Sequence, residues 1–167
     1  MRKFLSLLLV FVMTLALMMP TAWATPLPTI MANAQDTTSN TIAKYGNVTT
    51  DITTAYLKAA GFDYGDMVTV EFLDQKLTIP VVPTYSYVDN GSAAVIAPDG
   101  GKVSLAINMG NFATTYKLAT KNTAGDGTIT WTPAAGVTFP VNFTITMSQE
   151  DGYREQYLMR DIHRTNV

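Results

Sequence analysis

The chain has 167 residues, a formal net charge of −2, no cysteine and one histidine. That length bounds it to one domain with room for a sizeable core, and the missing cysteine excludes a disulfide frame, a thiol nucleophile, an Fe–S site and a Cys-ligated zinc site. A mildly acidic balance without a Lys/Arg cluster gives no reason to expect nucleic acid or an anionic membrane as partner.

Arg2 and Lys3 precede an apolar run from Phe4 to Met19 that only Ser6 and Thr14 interrupt. Pro20 ends the run, and Ala22-Trp23-Ala24 supplies the small-x-small pattern of signal-peptidase cleavage. The apolar core, about 16 residues, is short beside the roughly 20 of a membrane span. Residues 1–24 therefore read as a signal peptide, with cleavage near Ala24 or, at a second such pattern, near Ala34. The mature protein is expected to be secreted or otherwise extracytoplasmic, free of the membrane once the leader is cut.

Residues 25–43, rich in Thr, Pro, Asn and Ser, read as a flexible lead-in. An ordered domain is expected over 44–147, followed by a C-terminal helix or tail over 148–167. Asp51–Ala60 reads as a short helix capped by Thr53 or Asp51, with Gly61 at its C-terminal end and Ile52, Tyr56 and Leu57 facing inward. The run 67–73 alternates and is β-branched. Asp74-Gln75 reads as a tight turn, and Lys76–Ile79 returns as the second strand of a hairpin, with Pro80 and Pro83 limiting further pairing.

Asn90-Gly91 marks a turn, and 93–97 and 102–108 are strand-like runs joined by Pro98-Asp99-Gly100-Gly101. One or two helical turns fit 111–118, a loop fits 120–127, and strands fit 128–131 and 141–147. The last strand places Val141, Phe143, Ile145 and Met147 on one face. Ser148 and Asp151 resemble a capping box ahead of a charged helix over about Tyr153–His163. Short strands punctuated by Gly and Pro point to a small barrel or sandwich.

No complete catalytic constellation is legible. His163 sits near the C-terminus on a charged helix, where a solvated surface role is expected, because a catalytic histidine needs a positioned partner. The adjacent pair Glu150-Asp151 suits a helix N-terminus. No metal-ligand spacing, phosphate-cradling glycine loop or Gly-x-Ser-x-Gly is present; Asp63, Asp66 and Asp74 have no spacing that demands Ca²⁺.

One set of segments carries a resemblance. It comprises Tyr45-Gly46-Asn47-Val48-Thr49-Thr50-Asp51-Ile52, a short helix with Leu57 before Gly61, then Pro83-Thr84-Tyr85-Ser86, and Leu105-Ala106-Ile107-Asn108-Met109-Gly110-Asn111. In this order they resemble the C-terminal β-barrel domain of the S-adenosylmethionine (SAM) hydroxide adenosyltransferase family, which includes SAM-dependent chlorinases and fluorinases. The likeness runs from about Lys44 to Leu118, and the first segment is its most specific part.

It implies a mainly β chain: a small β-barrel of about five to seven strands with one or two short helices and a C-terminal helix. It further implies a family in which SAM is cleaved at its 5′ carbon by water or halide, at a subunit interface of a trimer. There the larger N-terminal domain supplies the reacting groups and the small domain holds adenine. On that pattern Tyr45 and Tyr85 correspond to aromatics lining the adenine site, Asn47 to the amide that reads the base edge, and Asn108 to the strand segment that reaches the ligand. One amide offers both a donor and an acceptor, and base–aromatic stacking contributes roughly 1–3 kcal/mol.

Ahead of Lys44 stand the leader and the polar segment in place of the family's N-terminal domain, and Asp99-Gly100-Gly101-Lys102 replaces arginines that members often carry nearby. The leading expectation is therefore an exported, non-catalytic barrel with a structural or protein-interaction role, with a protein partner or as a homo-oligomer, a trimer by the resemblance. The alternatives are a retained adenosine- or SAM-binding module and one subunit of a split SAM hydrolase. A further alternative is the front module of a secreted protein whose next domain resembles a tyrosine phosphatase. Such a domain needs a Cys followed by an Arg in one loop, and this chain has no Cys.

Overall fold

The computed structural model describes residues 25–149 and 152–165. The expected signal peptide lies outside them, as does Asp151 of the expected cap.

The flexible lead-in is corrected. Thr29–Ala34 is a strand, β1, pairing antiparallel with β9 (Val141–Met147) from Thr29↔Thr146 to Ala34↔Val141. Ile30, Ala32 and Ala34 are buried while Thr29 and Met31 are exposed, the period-2 pattern of a strand with one face in the core. A cut after Ala34 would remove this strand.

The expected helix over Asp51–Ala60 begins later. Val48–Thr53 is β2, whose Thr and Ile residues suit a pleated surface. Helix α1 (Thr54–Ala59) follows, with the Thr53 side chain capping it by accepting from the Tyr56 backbone N–H. Leu57 is buried, as expected, whereas Tyr56 points to solvent at 54% exposure. Gly61 ends the helix at a φ of +95°.

β3 (Met67–Phe72) and β4 (Gln75–Val82) form the expected hairpin. The pairing Phe72↔Gln75 makes Leu73-Asp74 the two-residue turn, one position earlier than expected. Pro80 lies inside β4 rather than ending it. It stands where β4 leaves its antiparallel partner β3 and begins a short parallel pairing, Val81↔Val95, with β5 (Ala93–Ile96). β6 (Lys102–Ile107) pairs with β5 and β2. Seven strands thus form one sheet in the order β1-β9-β3-β4-β5-β6-β2, nearly closed into a barrel. Thr120–Gly127, expected as loop, contributes to β7 (Ala119–Thr123), which forms a separate hairpin with β8 (Ile129–Pro133).

The barrel's interior holds Phe62, Phe112 and Phe143, all essentially inaccessible, with the Phe72 ring 5.0 Å from Phe143. A second apolar cluster of Val82, Tyr87, Val88, Ala94, Ile96 and Ala106 lies apart from the main core. This explains why β5 is buried almost throughout. The C-terminal helix α3 (Arg154–Thr165) sits at that cluster. Its Tyr157 stacks on Tyr87 at 5.0 Å, Tyr87 donates to Asp161 at 2.8 Å, and Arg160 pairs with Asp89 at 2.6 Å.

Closure between β1 and β2 uses a side chain instead of a ladder. The Asp51 carboxylate accepts from the Asn33 backbone N–H at 2.7 Å, the Asn33 amide at 2.8 Å and the Gln35 amide at 3.3 Å. Burial pushes the Asp51 pKa up, but these hydrogen bonds outweigh it and hold the group below its ordinary value.

Candidate functional site

Three turns meet to form a cleft. The first follows an isolated bridge between Ile42 and Val48, in which Ala43 donates to the Asn47 carbonyl at 3.0 Å and Gly46 donates to Ala43 at 2.8 Å. This tight loop carries Tyr45 at its tip, 68% exposed. Only glycine suits position 46: φ is +88°, and a Cβ there would stand 1.9 Å from Asn111 Oδ1. Ala113, in helix α2 (Phe112–Thr115), donates to the Gly46 carbonyl at 2.9 Å, so the loop is fastened to the helix.

The second turn is a single 3-10 turn, Tyr85–Tyr87, which buries Tyr87 and leaves Tyr85 37% exposed. The third leaves β6 through Ile107–Asn111. Met109 has a φ of +55° and is 86% exposed, and Gly110 lies so close to Ile107 that a Cβ would reach 2.3 Å from its Cγ2. Asn111 then caps α2, its side chain accepting from Thr114 at 3.0 Å.

The resulting open cleft has a volume of about 830 Å³. All four residues singled out in the sequence, Tyr45, Asn47, Tyr85 and Asn108, line it. Met109, Asn111 and Lys121 also line it. Asn111 stood within the stretch that carried the resemblance, whereas Lys121 had no signal, because its strand read as loop.

The polar groups are not equally free. Asn47 donates one amide hydrogen to the Tyr85 hydroxyl at 2.6 Å, leaving its second N–H and its Oδ1 available. Tyr85, accepting there, keeps its own O–H to donate, and burial raises its pKa and so favours that protonated form. Asn108 spends both amide hydrogens inside the protein, on the Val88 carbonyl at 2.8 Å and on Asn90 Oδ1 at 3.2 Å. It is a clasp for the 88–90 segment, with only Oδ1 left for a ligand. Tyr45 offers a ring face, and the Lys44 ammonium lies 5.7 Å from its centroid.

A smaller groove of about 460 Å³ lies between β4 and the segment around Val88–Ala93. It contains none of the sequence-predicted residues.

Residues 41–124, half of the chain, match the family model described as SAM hydroxide adenosyltransferase C-terminal domain. β1 and β9 lie outside that match. Among solved structures, the chain is similar to an uncharacterized conserved protein from Thermotoga maritima, with 17% identity and a TM-score of 0.51 over 73% of this chain and 38% of that one. It is also similar to a conserved hypothetical protein from Thermus thermophilus, with 17% identity and a TM-score of 0.40 over 72% of this chain and 36% of that one. The chain thus spans well under two thirds of either structure, and at this identity the first likeness speaks to fold alone. No curated protein matches the chain.

Proposed function

The chain belongs to the family of SAM hydroxide adenosyltransferase C-terminal domains, and from that premise we propose that it is an exported adenine-nucleoside-binding module that does not cleave SAM by itself. The observation that carries the reading is the meeting of Tyr45, Asn47, Tyr85 and Asn108 in one cleft, although they come from three separate turns. Their free valences suit a purine. The unspent N–H and Oδ1 of Asn47 match a base edge that presents one donor and one acceptor, and the phenol rings offer faces for stacking.

The leader motif at residues 1–24 supports export. Adenosine is then a more accessible ligand than SAM, a cytoplasmic metabolite. Among the described residues no carboxylate or imidazole lines the cleft, which supports binding without chemistry.

Calorimetric titration of adenosine into the purified mature protein tests this. Saturable binding is expected, weakened about tenfold or more by Asn47→Ala, because the truncation leaves a base edge unpaired. A folded protein that takes up no adenosine at millimolar concentration refutes it. The internal bonds of Asn108 and the Asn47–Tyr85 pair favour a second reading, a structural or interaction barrel in which these amides fasten turns. That reading predicts no adenosine heat, with a lower melting temperature in Asn47→Ala.

A further inference from the structure

The cleft's electrostatics go beyond base recognition. Among the described residues lining it, one side chain, Lys121, is charged, and no carboxylate faces it there. Four cations elsewhere are ion-paired, Lys58 with Asp99 at 3.4 Å, Lys76 with Glu71 at 2.8 Å, Arg154 with Asp66 at 3.1 Å and Arg160 with Asp89 at 2.6 Å, whereas Lys44, Lys102 and Lys117, which do not line the cleft, have no carboxylate partner among the described residues. Lys121 makes no ion pair or side-chain hydrogen bond with any described residue, in a chain whose net charge is −2.

Its placement is set by the fold. Lys121 stands opposite Trp131 in the β7–β8 register, and Trp131 is buried in the main core, as is Ala119 at the start of β7. The hairpin that carries the ammonium is thereby rooted in the barrel's main core, with Lys121 reaching the cleft. A positive charge beside low-dielectric walls concentrates anions, while amides and phenols supply neutral recognition for the rest of the ligand.

Building on the nucleoside reading, we propose that the cleft selects adenine nucleosides that carry an anionic group, a phosphate or a carboxylate, and that Lys121, the charged side chain among the described residues lining it, is the residue that discriminates. The test is calorimetry at about 20 mM salt, where screening is weak, with three ligands: adenosine, adenosine 5′-monophosphate and adenosine-5′-carboxylic acid. At least one anion is expected to bind roughly three- to tenfold more tightly than adenosine, an advantage of the size that a single charge contact gives. The phosphate and carboxylate arms identify which group is preferred.

The advantage should collapse toward unity in Lys121→Gln, persist in Lys121→Arg and shrink at about 500 mM salt. Equal affinity for all three ligands, or a preference that survives Lys121→Gln, overturns the proposal while leaving the nucleoside reading intact. Failure of all three to bind overturns both.

Discussion

Replacing Asp51 by alanine should loosen β1 selectively. The carboxylate takes three hydrogen bonds from Asn33 and Gln35 at 2.7–3.3 Å and bridges the one seam of the barrel that lacks a strand ladder. Bonds to a charged acceptor are each worth about 1.5–3 kcal/mol where they are buried. Asp51 is solvent-exposed, so screening reduces the total to about 1–2 kcal/mol.

β1 keeps its ladder to β9, so the strand should open locally rather than the whole domain unfold. Amide exchange followed by mass spectrometry reads this: exchange across 29–34 should accelerate roughly 5- to 30-fold, with β3 and β4 nearly unchanged. Acid should mimic the substitution. The folded-state pKa of Asp51 is depressed, so its contribution is complete above the unfolded carboxylate value of about 4 and is lost as pH falls through the folded value. Unchanged β1 exchange in Asp51→Ala, or acid loosening as strong in that variant as in the wild type, refutes the clamp.

Three other outcomes follow from the same structure. Gly46→Ala should cost about 1–3 kcal/mol in denaturant unfolding, since it combines a left-handed φ with a Cβ 1.9 Å from Asn111 Oδ1; a neutral result means the loop does not pack on α2 as described. Tyr157→Ala removes the ring stacked on Tyr87 at 5.0 Å, and about 1–2 kcal/mol of local stability should go with it. Limited proteolysis should then cut within α3 ahead of the barrel, and identical cleavage kinetics would contradict the docking. Intact-mass analysis of protein recovered from the medium or periplasm should give Thr25 as the first residue, because cutting after Ala34 strips Ile30, Ala32 and Ala34 from the core. A Gln35 start would contradict that.

Much of the architecture was legible because one-sided strands announce themselves: the alternation in 141–147 appears as Val141, Phe143 and Ile145 buried against exposed Asn142. β1 obeys the same rule, yet two of its inward residues are alanines set among Thr, Pro and Asn. Its partner, β9, lies more than a hundred positions away, so local composition misleads there. β7 has one buried residue in five, Ala119, and owes its strand form to the ladder with β8, which hydrophobic period cannot reveal. β2 was hidden by Asp51, a good capping residue whose carboxylate is committed instead to Asn33.

At the cleft, Tyr45, Asn47, Tyr85 and Asn108 were legible through a resemblance in order and type. What the sequence withheld was how their hydrogen bonds are spent. Asn108 turns inward because the turn at 90–91 brings Val88 and Asn90 to its amide, a consequence of three-dimensional closure. Lys121 was invisible for the reason β7 was.

The most direct measurement is a two-dimensional amide NMR titration of the isotopically labelled mature protein with adenosine. Saturable shift changes are expected, confined to 43–47, 84–87, 107–111 and the start of β7, together with the side-chain amide of Asn47. Absence of shifts at saturating ligand, or shifts centred instead on the groove beside β4, would contradict a nucleoside site at the three turns.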